Sequence, residues 1–118
     1  MASTYNLKIE AGATFRQSIT WTVANGQPTD MTGYTGRMQM RAKLTDPAPL
    51  LELNSENGGI VITPATGKIE IVIDDLQTAG LVNGVYDLEV IGPTPQTGRA
   101  DVYRLLSGSV EVRKNVTR

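Results

Sequence analysis

The side chains that could do chemistry in this chain are carboxylates, cations and tyrosines, because the sequence holds neither histidine nor cysteine. Without imidazole the commonest general base and metal ligand is missing, and without thiolates there are no disulfides or thiolate-held metals. Asp74-Asp75 could be a metal or acid/base pair. Adjacent carboxylates at a strand end point in different directions, however, and these two stand where a helix needs a cap. Asn54, Glu56 and Asn57 offer oxygen ligands beside glycines, but their spacing departs from that of a twelve-residue calcium loop and suits a turn. Gly58-Gly59 lacks the Lys-Ser/Thr and helix start of a phosphate cradle. No catalytic, metal-binding or cofactor-binding residue is assigned, no cofactor is expected, and a non-enzymatic protein is the expectation.

Two constellations could bind rather than react. Arg37, Arg41 and Lys43, with Arg16, could line a basic face for an acidic partner; a solvated face balanced by acidic neighbours is the preferred alternative. Trp21 with Tyr34, Tyr86 and Tyr103 could form a sugar-stacking platform. Trp21 shares its phase with Phe15, Ile19 and Val23, which favours core packing instead. Asn115-Val116-Thr117 matches a glycosylation acceptor, which has no meaning without a secretory signal.

Strands must position these residues. Alternation of apolar and polar side chains marks Thr4 to Glu10, Thr14 to Val23, Tyr34 to Lys43, Lys68 to Ile73, Val85 to Ile91 and Val102 to Arg113. Shorter runs lie at Leu50 to Leu53 and Ile60 to Ile62, and Gly108 suggests a bulge or bend in the last strand. Asp74 to Leu81 is the one helical candidate, two turns at most. About eight strands in 118 residues predict a single all-β domain spanning 1–118, an antiparallel β-sandwich that is immunoglobulin-like in layout.

The net charge of −1 gives no electrostatic footprint for nucleic acid or an anionic membrane, so neither is an expected partner. The amino terminus lacks the pattern of a signal peptide, and no stretch approaches membrane-spanning length. A soluble product made in the cytoplasm is expected.

The most specific stretch is Gly26 to Lys43. Asn25-Gly26 favours a tight turn, Pro28 fixes φ, Asp30 can bond its own backbone two residues on, and Gly33 allows a sharp bend. From Tyr34 the chain alternates, with Met38 and Met40 opposite Arg37, Gln39 and Arg41.

Pro28-Thr29-Asp30-Met31-Thr32-Gly33-Tyr34, followed by Arg37-Met38-Gln39-Met40-Arg41, resembles a pattern in small structural proteins of tailed bacteriophages, usually Gly-x-Pro-x-Asp-Leu-Thr-Gly-Tyr before an alternating strand. Met31 replaces the leucine. It is similar to a corner in the amino-terminal β-sandwich of phage baseplate upper proteins. Gly12-Ala13-Thr14-Phe15, Gly84-Val85-Tyr86-Asp87-Leu88 and Leu105-Leu106-Ser107-Gly108-Ser109-Val110 extend the resemblance over most of the chain.

The resemblance implies a virion structural protein of the tail or baseplate that partners other virion proteins. It also implies a homo-oligomer, with a trimer among the symmetries that suit baseplate arms, assembled in the host cytoplasm. A capsid decoration or head-fibre protein is the alternative, and a carbohydrate-binding module the second alternative. Candidate assembly contacts are Gln27, Pro28 and Asp30 in the corner, Pro93, Pro95 and Arg99 in the long polar loop, and Lys114 and Arg118 in the carboxyl arm. The amino-terminal arm from Met1 to Thr4 joins them.

Overall fold

Because side chains alternate between the faces of a strand, a short chain can bury an apolar core only by laying two sheets against each other. A computed structural model describes residues 3–22, 30–93 and 98–114. In chain order the elements are β1 (Ser3–Thr4), β2 (Leu7–Glu10), β3 (Phe15–Thr20), β4 (Thr35–Arg41), β5 (Leu51–Asn54), β6 (Ile60–Thr63), β7 (Lys68–Ile73), α1 (Asp75–Ala79), β8 (Gly84–Ile91) and β9 (Val102–Arg113). The larger sheet runs β1-β9-β8-β4-β5, with β2 also on β9, and the smaller runs β3-β7-β6. The expected all-β sandwich is the observed fold, with one correction to the antiparallel reading: β1 and β2 both run parallel to β9, while the remaining pairs are antiparallel.

Its core comes from the dry faces. Leu7 and Ile9 of β2, Met38 and Met40 of β4, Ile69, Ile71 and Ile73 of β7, and Leu88 and Val90 of β8 are all buried. Burying each of these contributes about 1.5–3 kcal/mol relative to exposure. β3, the strand most enriched in threonine and aromatic residues by sequence, is only half-buried on its inner face because it lies at a sheet edge.

Local chemistry sets the connections. Pro64–Thr66 make a 3-10 turn closed by Gly67 at φ 65°, which joins antiparallel β6 and β7 as the sequence predicts. α1 is shorter than its predicted span. Asp74 caps it, accepting from Gln77 N at 2.7 Å while the Gln77 side chain accepts from Asp74 N at 3.2 Å. Asp74 is thus the helix cap, and Asp75 lies in the first turn. Asn54 and Asn57 likewise exchange hydrogen bonds with each other's backbone, and their loop is a turn.

The last strand differs from its predicted course. Its irregularity falls at Leu105 rather than Gly108: Leu88 faces Leu106 while the next residue, Glu89, faces Arg104. The extra residue flips the phase, so Arg104 reaches Asp87 (3.5 Å) and Glu89 (3.8 Å) on the wet face while Leu106 enters the core. Gly108 serves another purpose. A Cβ there would meet the Tyr5 carbonyl oxygen at 2.5 Å, so glycine lets the β1–β2 junction lie against β9.

Candidate assembly surface

The corner before β4 is built by its own side chains. Asp30 Oδ1 accepts from Thr32 N (3.0 Å) and Thr32 Oγ1 (2.7 Å), which holds the Asp30 carboxyl below its ordinary range. Tyr34 N donates to Met31 O at 3.0 Å across Gly33, whose φ of 84° is the left-handed turn expected of it. Met31 is fully buried, and its N donates to Pro64 O at 3.0 Å. The corner is therefore anchored to the β6–β7 turn of the opposite sheet.

It also meets the long polar loop. A Cβ on Gly33 would stand 3.1 Å from Pro93 Cβ, and Gly92 N donates to Asp101 O at 2.8 Å to close the loop's base. Asp30, Pro93 and Arg99 are exposed at this end of the sandwich. Lys114 is also exposed, but it follows β9 at the other end, and twelve strand residues span roughly 40 Å. The structure brings the corner and the loop base at Pro93 together and leaves Lys114 apart. Gln27, Pro28, Pro95 and Arg118 lie outside the described residues, as do the Asn25-Gly26 turn, Val23, Met1 and Asn115 to Thr117.

Three of the four aromatic residues singled out by sequence assemble beside this corner. Trp21 stands edge-on to Tyr34, with centroids 5.8 Å apart and planes at 80°, and tilted to Tyr103 at 5.4 Å and 54°. Trp21 and Tyr34 are half-buried against the core, and Tyr103 is 39% exposed. The Tyr103 hydroxyl donates to Asp101 Oδ2 at 3.3 Å, and the Asp101 charge raises its pKa. Tyr86 is separate: it is buried, with its hydroxyl donating to Tyr5 O at 2.6 Å. Sequence phase places Trp21 among core residues, whereas unbroken alternation along Val102 to Arg113 sets Tyr103 opposite the face of Leu106, Val110 and Val112. The missed signal was Arg104, a charge in the same phase as Leu106.

The basic residues of β4 are balanced by acidic neighbours. Arg37 Nε donates to Glu89 at 2.7 Å, and the Gln39 side chain donates to Glu52. Arg16 lies 3.9 Å from Glu70 on the other sheet. These are solvent-exposed pairs of small individual worth, and they make a face of mixed sign. Among the described residues no cluster of three or more carboxylates could hold a metal ion, and no helix is long and apolar enough to cross a membrane.

No protein-family model matches the chain, and no curated protein matches it. Among solved structures it is similar to the N-terminal domain of ORF48 of phage TP901-1, with 17% identity and a TM-score of 0.52 over 92% of this chain and 84% of that one. At that identity the likeness is one of fold.

Proposed function

We propose that this chain is a non-enzymatic structural protein of a tailed-phage particle, mediating protein–protein assembly in the tail or baseplate. The observation that carries the proposal is the fold shared with a phage protein domain over 92% of the chain. It agrees with the corner at Asp30-Met31-Thr32-Gly33-Tyr34, whose sequence resembles a phage pattern and which is anchored through Met31 with Asp30 and Thr32 exposed. Such assembly needs no chemistry: rigid loops on a packed scaffold make modest contacts that symmetry multiplies. The corner and the loop base at Pro93 form one contact site, and the carboxyl arm beginning at Lys114 a second. The partners are other virion proteins and further copies of the chain.

Purified particles analysed by mass spectrometry test the assignment. The chain is expected in them at fixed stoichiometry to tail proteins. Replacing 93–99 with a Gly-Ser stretch should reduce incorporation while the isolated protein keeps its circular dichroism; unchanged incorporation would remove the loop from the contact site.

The assembled Trp21, Tyr34 and Tyr103 favour carbohydrate binding as a second reading, since aromatic faces stack on pyranose rings. Titration of the protein with host surface glycans, followed by tryptophan fluorescence, should show saturable quenching under that reading. A flat response disposes of it.

A further inference from the structure

The turn after β4 is pinned from three sides. Asp46 N donates to Lys43 O (3.0 Å), Lys43 N donates to Asp46 Oδ2 (3.2 Å), and Arg41 Nη1 donates to Asp46 O (2.9 Å). Arg41 Nη2 is held in turn by Gln39 Oε1 at 2.7 Å. Within this fixed turn Leu44 is 83% exposed, the most exposed large apolar side chain among the described residues. It stands on the rim of an open groove of about 300 Å³ on the outer face of the larger sheet, lined also by Val85, Ser107 and Gly108. An apolar side chain on a preformed backbone, next to a groove large enough for a leucyl side chain, can be desolvated by a partner at little ordering cost.

The charges around the groove decide what can cover it. Arg37, Arg41 and Arg104 alternate on this face with Glu52, Asp87 and Glu89, joined by the Arg37–Glu89 and Arg104–Asp87 pairs. A partner of one strong sign would meet as much repulsion as attraction. A second copy presented about a two-fold axis meets a pattern as balanced as its own. Because Leu44 stands on the rim of its own groove, an axis passing close to that rim places each leucine over the other copy's groove.

We propose that the outer face of the larger sheet is a self-association surface, in which Leu44 of each copy enters the groove beside Val85 of a second copy. The pairing is a property of the free protein and does not rest on the virion assignment.

Sedimentation equilibrium of the full chain over a wide concentration range tests it, with Leu44→Asp and Leu76→Asp compared. Leu76 is 82% exposed on α1 and does not line the groove. Monomer–dimer association is expected for the unsubstituted chain. Leu44→Asp should weaken it about tenfold or more with circular dichroism unchanged, and Leu76→Asp should leave it in place. An unsubstituted chain that stays monomeric throughout overturns the pairing, as does equal weakening by both substitutions.

Discussion

Tyr86 and Thr78 each join parts of the chain that are distant in sequence. The Tyr86 hydroxyl holds the Tyr5 carbonyl, fixing the β1–β2 junction, and burial pushes its pKa up from 10.0 to about 12. Tyr86→Phe should cost about 1–2 kcal/mol, since the Tyr5 carbonyl loses this donor in a buried setting. The pH dependence follows from linkage: a phenol whose pKa is raised on folding keeps its proton longer in the native state. Its contribution is complete below pH 10 and is lost as pH rises toward 12. Urea denaturation should therefore show the gap between the unsubstituted protein and Tyr86→Phe narrowing over that interval. A gap that widens would reverse the sign of the assignment. Thr78, fully buried on α1, accepts from Gly12 N at 3.0 Å and donates to Ala13 O at 2.8 Å. Thr78→Val should cost about 1–3 kcal/mol by orphaning both groups in the β2–β3 turn, read as a lower urea midpoint at unchanged slope.

At the scale of elements, most of the fold was legible. Lys68–Ile73 was found to the residue because isoleucines repeat every second position between two turns, and Asp74-Asp75 marked the helix cap, though not the Gln77 half of the box. α1 ends early because Gly80 closes it, its N–H reaching Gln77 O and Thr78 O. The course of β9 was misread because a bulge leaves every residue in the chain order of an unbroken strand while reversing which face it takes. Gly108 signalled the wrong device, since a strand glycine fits either a bulge or a close backbone approach. The close approach makes its own prediction. Gly108→Ala should drive β1 and β2 away from β9, and hydrogen exchange at Leu7 and Ile9 should speed up while Leu88 and Val90 stay protected. Uniform acceleration across both sheets would mean global destabilisation instead.

At the scale of the whole molecule, the two packed sheets carry the corner and the loop base at one end. Proline, glycine and polar clustering marked the corner and the loop, and their described residues Asp30, Thr32, Pro93 and Arg99 are exposed. Their meeting at Gly33 and Pro93, about sixty residues apart in the chain, belongs to tertiary structure, as does the gathering of Trp21 with Tyr34 and Tyr103. The same topology sends Lys114 to the far end, so the two contact sites proposed for the chain lie at opposite ends of β9. Immunogold electron microscopy of particles from the source, with antibody raised against the recombinant domain, is the most direct test of the proposed virion role. Label confined to the tail end is the predicted result. Label spread over the head would contradict the tail position and move the protein to capsid decoration, and particles bare of label despite accessible epitopes would contradict the virion role itself.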